Sequence, residues 1–348
     1  MDMTPKVRHI LDFIDSWAPS STKMDFDNVG LLVGHPENAV SRILTCLDVT
    51  PSVVDEAAQN QYDLIVAHHP LIFKKMDRIQ PTDEQGRMIY KLIRNDISVI
   101  ASHTNLDAAY NGVSFEMARQ LGLNNVSFLK SNYPLERKVE CYADQTSAQT
   151  IAAELKKAGA RGVWGDDTGA MGDNSSSTVR IQCYIEEYSL GSLYQILGRY
   201  DIPAHQVHIL STNTPSANVG MGAIGELPGN GLKTQEFLAK LGNVFGTSAI
   251  KYSGEASRIS KVAVCGGAGV FLTSAAIKNE AQAFVTSDIK YHDFFVEQAE
   301  FLLIDIGHYE SEWPIVPYLA DQLTRNFENL EVQSTNVTTN PVKTFNHQ

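Results

Sequence analysis

Short apolar runs alternate along most of this chain with amphipathic stretches of about ten residues, and that alternation restricts the fold more than any other feature. Ser41 to Leu47, Asp63 to Ala67 and Ser98 to Ala101 read as strands; Thr4 to Trp17, Pro51 to Asn60 and Gln85 to Asn95 read as the helices that precede or separate them. A strand without polar alternation is buried on both faces, and parallel neighbours need a crossover long enough to hold a helix. The pattern therefore predicts a mostly parallel sheet, covered on both sides, over residues 1–130. The first helix carries Val7, Ile10, Leu11, Ile14 and Trp17 at helical spacing and has no cleavable apolar stretch, so it is expected to belong to the mature fold.

From Arg137 the pattern changes to strand, helix, strand pair, helix, strand: Arg137 to Ala143, Ser147 to Ala158, Thr178 to Glu186, Leu190 to Arg199 and Gln206 to Ser211. Gly159 is placed to cap its helix, and Gly165 to Ser177 reads as a polar hairpin loop. This predicts a ferredoxin-like α+β module inserted over residues 131–231. After the glycine-rich stretch Gly220 to Gly231 the first pattern resumes, with helices Thr234 to Leu241, Ala275 to Asn279 and Trp313 to Phe327 and strands Lys261 to Cys265, Ala283 to Thr286 and Glu300 to Asp305. Residues 232–348 are thus expected to form a second α/β lobe, with the polar tail beyond Val332 pairing as an edge strand or fraying. A chain of 348 residues is long enough for several cores.

The balance of charge disfavours one large class of partner. Lys and Arg total 28 against 40 Asp and Glu, a formal charge of -12 that repels nucleic acid. No segment approaches the roughly eighteen apolar residues of a membrane span. Cys46, Cys141, Cys183 and Cys265 lie singly in apolar runs, with neither zinc nor disulfide spacing, which points to the cytoplasm.

Open α/β sheets bind ligands beyond the carboxyl ends of their strands, so the residues just after each apolar run are the informative ones. Asp63 to Ala67 delivers His68 and His69; Ser98 to Ala101 delivers His103 and Asp107. Ala283 to Val285 leads to Asp288 and His292, and Phe301 to Ile306 leads to His308 and Glu312. Imidazoles and carboxylates without thiolates suit Zn, Mn, Fe or Co. Adjacent side chains on an extended exit point in opposite directions, so His68 and His69 would naturally serve two ions, and a carboxylate bridge would complete such a pair. Gly307 relieves the backbone before His308, and a helix beginning near Trp313 would set Glu312 at its N-terminus, favouring the ionised carboxylate. His9, His35, His205, His208 and His347 lack such company and read as ordinary surface or hydrogen-bonding residues. Asp27-Asn28-Val29-Gly30 reads equally as a turn or a site wall, and Gly266-Gly267-Ala268-Gly269 as a tight turn rather than an anion loop.

Five ordered segments resemble the motifs of the NIF-three-like family: Asp27-Asn28-Val29-Gly30-Leu31-Leu32-Val33-Gly34, Ala67-His68-His69-Pro70-Leu71-Ile72-Phe73, His103-Thr104-Asn105-Leu106-Asp107, Ser287-Asp288-Ile289-Lys290-Tyr291-His292-Asp293 and Asp305-Ile306-Gly307-His308-Tyr309-Glu310-Ser311-Glu312. Members are often labelled GTP cyclohydrolase I type two homologues or dinuclear metal centre proteins. The resemblance implies two similar α/β lobes with two divalent metal ions between them, held by His68, His69, Asp107, His308 and Glu312. It also implies a ring-like homohexamer. His103 and His292 then become proton-shuttling or substrate-facing candidates. The insert resembles the PII-like or CutA-like module of longer members, but it departs from their glycine-rich and His-Pro-Tyr-Glu segments at Gly169 to Ser177 and Pro203-Ala204-His205-Gln206.

Two functions are expected from such a centre. One is a hydrolase acting on a small molecule such as GTP or a phosphoester, in which the ions acidify a bridging water and the hydroxide attacks. The other is storage, delivery or sensing of metal, with the insert as a regulatory part.

Overall fold

The computed structural model describes residues 4–131, 135–167, 178–247 and 249–345. The expected hairpin loop lies, from residue 168 onward, outside the described residues, as does His347. In chain order the strands are β1 (Gly30–Val33), β2 (Arg42–Cys46), β3 (Leu64–Ala67), β4 (Ser98–Ala101), β5 (Asn124–Lys130), β6 (Leu135–Asp144), β7 (Arg161–Asp167), β8 (Thr178–Glu186), β9 (Val207–Pro215), β10 (Met221–Glu226), β11 (Lys251–Glu255), β12 (Lys261–Val264), β13 (Ala283–Thr286), β14 (Phe301–Asp305) and β15 (Glu331–Ser334). They form three sheets, ordered β1-β4-β3-β2-β15, β11-β14-β13-β12-β10-β5 and β7-β8-β6-β9.

Two compact units result, one of residues 131–220 and one of residues 1–130 and 221–348. The stretch 221–231, expected in the insert, lies in the second of these because β10 pairs with β12 and β5. Within 131–220, helices Gln145–Lys157 and Leu190–Arg199 alternate with four antiparallel strands. Val139, Cys141, Ile151, Leu155, Ile181, Cys183 and Leu193 make its core.

In the larger unit, β2, β3 and β4 run parallel, as do β12, β13 and β14. Alternate side chains of each trio feed opposite faces. Ile43, Leu64, Val66 and Ile100 pack under Val7, Ile10 and Ile14 of helix Val7–Trp17, while Leu44, Ile65, Ala67 and Val99 pack under Val53, Ala57, Ile89 and Leu92. Those last four belong to helices Pro51–Gln59 and Glu84–Arg94, whose starts are set by Thr50, followed by proline, and by Asp83, which accepts from Gly86 N at 2.7 Å.

The lobes exchange segments. Helix Val113–Gln120 packs with Val262, Val264 and Val285 of the second sheet, and β5 forms that sheet's edge. In return β15 pairs parallel with β2 of the first sheet, and Leu323 of helix Ile315–Asn326 joins the first lobe's core. Each sheet of this unit is therefore completed by chain from the other half. Ala18, Leu47, Leu106, Val113, Ile315 and Leu319 pack together at the crossing. The four cysteines are buried and free, and among the described residues no helix is long and apolar enough to cross a membrane.

Candidate metal centre

The exits of β3, β4 and β14 converge within the larger unit. His68 and His69 follow β3, His103 and Asp107 follow β4, and His308 and Glu312 open and close the five-residue helix His308–Glu312 after β14. Gly307 precedes that helix at φ +95, a conformation glycine tolerates best. Three overlapping groups have ligand atoms within 4.8 Å of one another: His68, Asp107 and Glu312; His69, His308 and Glu312; and His68, His69 and His103. Glu312, 2% exposed, joins the first two. Its Oε1 lies 3.9 Å from His68 Nε2, and its Oε2 lies 3.0 Å from both His69 Nε2 and His308 Nε2. Asp107 Oδ1 lies 3.6 Å from His68 Nε2.

Every ring is anchored on its far side. Nδ1 of His69 meets Asp48 Oδ1 at 2.7 Å, that of His308 meets Asp288 Oδ2 at 2.7 Å, that of His103 meets Asp27 Oδ1 at 2.9 Å, and that of His68 meets the Ser102 carbonyl at 2.9 Å. Such acceptors keep a proton on Nδ1 and turn the Nε2 lone pair inward. With neutral rings, acceptor atoms would therefore face one another without hydrogens between them, an arrangement that added protons or a cation resolves. His68 Nε2, Asp107 Oδ1 and Glu312 Oε2 are accordingly buried without a hydrogen-bond partner, which in a native interior calls for a missing ion or water. The residues present fit a metal.

A family profile described as Duf34/NIF3 (NGG1p interacting factor 3) matches residues 5–341. The chain belongs to the Duf34/NIF3 family. A relative from Staphylococcus aureus (strain MSSA476) named "GTP cyclohydrolase 1 type 2 homolog" is 29% identical, covering 97% of this chain and 99% of its own. A relative of the same name from Staphylococcus epidermidis (strain ATCC 12228 / FDA PCI 1200) is 30% identical over the same shares. Among solved structures, a Bacillus cereus protein related to NIF3 superposes with a TM-score of 0.80 at 26% identity, covering 99% of this chain and 100% of that one. The mixed α/β fold is thus the NIF3 fold.

Without cations, this NIF3 centre gathers protons. Burial works against charging His69, but the Asp48 and Glu312 carboxylates outweigh it and push its pKa up to about 10. Glu312 raises His308 to about 9, helped by Asp288. Burial and the neighbouring Glu312 charge push Asp107 up to about 7. Burial would raise Glu312 as well, yet the rings of His308, His68 and His69 hold it well below the usual carboxylate range. The expected helix N-terminus plays no part in this. Glu312 ends a short helix, Trp313 and Pro314 interrupt the chain, and helix Ile315–Asn326 begins three residues later, so histidines rather than a dipole keep it ionised.

His292 is exposed, with its ring against Tyr291 and Phe295, and belongs to none of the three donor groups. The Gly266–Gly269 segment is a tight turn: Gly267 N donates to Ser311 Oγ at 3.0 Å and Gly269 N to Thr286 Oγ1 at 2.9 Å. Asp27 is a site wall, accepting from His103 and Thr104, and its carboxyl is held low by those bonds against its burial. Asp48, two residues beyond β2, is a functional residue that no sequence motif singles out. If the His69 group and the His68 group each hold an ion, Asp48→Asn is expected to weaken the first roughly 10–100-fold and leave the second near its wild-type affinity. Metal titration followed by calorimetry reads both steps, and equal loss of the two would refute the assignment of Asp48 to the His69 group.

Proposed function

We propose that this protein holds two divalent metal ions, Zn, Mn, Fe or Co, one with His68 and Asp107 and the other with His69 and His308, and that Glu312 is shared by both. The observation that carries this reading is the membership of Glu312 in two separate donor groups through opposite oxygens. Ions bound there would supply Lewis acidity and a water acidic enough to act as a nucleophile near neutral pH. The chain's own part is orientation and proton handling. Asp48, Asp288 and Ser102 fix the rings, and His103, held by Asp27 through Nδ1, keeps Nε2 free to take a proton from an attacking water and return it to a leaving group.

The reaction class we infer is hydrolysis of a small molecule, and the relatives' name makes GTP ring opening the first activity to try, with phosphoesters beside it. Turnover of GTP or p-nitrophenyl phosphate by metal-loaded protein, lost in His68→Ala, would support this. Two tightly held ions with no turnover of any substrate class would favour storage or delivery instead. We also infer self-assembly into a homohexamer, which light scattering of the purified protein tests, and residence in the cytoplasm, in keeping with the free buried cysteines. The 131–220 unit, with its order of strand, helix, two strands, helix, strand, fits a ferredoxin-like regulatory module. Its deletion is expected to leave both metals bound, because every donor lies outside it. Loss of metal from the folded deletion protein would contradict that.

Metal uptake is expected to expel protons. Metal-free His69 and His308 carry raised pKa values of about 10 and about 9, so both hold a proton at pH 7 that ligation through Nε2 must displace. Affinity should therefore rise as pH increases from 7 toward 9. Calorimetry in buffers of different ionisation enthalpy should report at least one proton released per chain, and none released would mean the rings are already neutral.

A further inference from the structure

We propose that Phe26 and Phe73 form a platform at the lip of the metal centre that receives a planar aromatic ring of the substrate, an inference that rests on the hydrolase reading above. Large apolar rings are normally buried, yet Phe26 is 65% exposed and Phe73 is 47% exposed. Their centroids lie 6.2 Å apart at an interplanar angle of 60°. Phe73 in turn meets His103 edge-on at 6.3 Å, and His103 lies 5.3 Å from His68 and 5.2 Å from His69. A run of ring contacts thus leads from the exposed pair to the proposed ligands, so a ring resting on the phenylalanines would carry its substituent toward His103 and the donor cluster.

The pair is held in place by the elements that build the centre. Phe26 precedes Asp27, whose carboxylate is fixed by His103 Nδ1 at 2.9 Å and Thr104 N at 3.0 Å. Phe73 follows Ile72, whose carbonyl accepts from Asn28 Nδ2 at 2.7 Å and so stitches the two loops together. Preorganised side chains lose little freedom on binding. Both rings are exposed to a guest, and an aromatic guest stacked on them gains beyond the area it buries, where a saturated ring of equal size does not.

The test uses three phosphonates that cannot be hydrolysed, titrated by calorimetry into full-length protein whose two metals have first been verified by elemental analysis. Methylphosphonate reports the anion alone, cyclohexylphosphonate adds a saturated ring, and phenylphosphonate adds an aromatic one. Phenylphosphonate is expected to bind at least about fivefold tighter than cyclohexylphosphonate. Phe73→Leu and Phe26→Leu, which keep apolar bulk, should erase that ratio and leave methylphosphonate affinity unchanged. Equal binding of the two ring compounds to the wild type, with methylphosphonate still bound, overturns the platform and spares the metal reading. Absence of metal from the purified and reconstituted protein sinks the metal reading first, and the platform with it. If either leucine variant changes the oligomeric state by light scattering and the wild type shows no ring preference, the pair belongs to an interface between copies, which also overturns the proposal.

Discussion

Replacing Glu312 by Gln is expected to release together both of the metal ions proposed for this centre. Two dications held close repel each other, and in a buried cleft that repulsion is screened weakly, so negative charge between them is the chief condition for holding both. Among the described residues, Glu312 is the one carboxylate with an oxygen toward each of these two donor groups, Oε1 toward His68 and Oε2 toward His69 and His308. Asp107 approaches only His68 among the ligand rings. Glutamine keeps the shape but loses the charge and one of the two oxygens. Both affinities should fall by more than the roughly 10–100-fold typical of losing an outer partner. The substitution also removes the carboxylate that raises the pKa values of His69 and His308, so the metal-free variant should titrate these rings at lower pH than the wild type. Calorimetric titration and elemental analysis, with His68→Ala and His69→Ala beside it, decide the matter. If Glu312→Gln keeps one ion at wild-type affinity, Glu312 is not shared and the bridging role passes to Asp107.

Gly267→Ala should be nearly as damaging to the centre while sparing the fold. Gly267 has φ +61, where an added side chain costs about 1–2 kcal/mol, and its Cβ would fall 2.3 Å from Glu312 Oε1. The colliding atom is the tip of a side chain, so the molecule has a way out by swinging the carboxylate aside. That movement takes Glu312 from His69 and His308, and metal binding should fail in a protein that remains folded. Gly122→Ala is the matched control, since Gly122 has φ +69 and open space around its Cβ position. Thermal melting should show similar losses for the two metal-free variants, and metal titration should show the defect only in Gly267→Ala. Normal metal binding by Gly267→Ala would mean that the loop moves instead of Glu312.

The central strands of both sheets were legible because each is an unbroken apolar run, and the rule that ligands gather beyond strand ends led directly to the six clustered residues. The edges were not. β1, β5 and β11 went unread, and so did β10, which lies inside its sheet between β12 and β5 but is broken by Gly222 and Gly225: β11 is Lys-Tyr-Ser-Gly-Glu, largely exposed, and β5 alternates exposed and half-buried residues, patterns shared with loops. Edge strands gain their conformation from a neighbour's backbone, which no local pattern records. The exchange of segments was hidden for the same reason, since a helix shows that it has an apolar face but not which sheet that face covers. Outer carboxylates such as Asp48 resemble any acidic residue in a turn. What identifies Asp48 is its 2.7 Å approach to a ring 21 positions later.

The exchanged segments also set the order in which the molecule can be assembled. The first sheet lacks its outer strand until residues 331–334 are available, and helix Ile315–Asn326 must arrive to cover one face, so the N-terminal half cannot settle before those residues have been made. The second sheet, conversely, waits for its own strands although its edge, residues 124–130, was made long before. Contacts of such sequence separation form late and slowly. His68 and His69 meet Glu312 only when that closure is complete. Until Glu312 has closed on His68 and His69 no finished pair of donor groups exists, so the candidate centre is a product of both halves of the chain together.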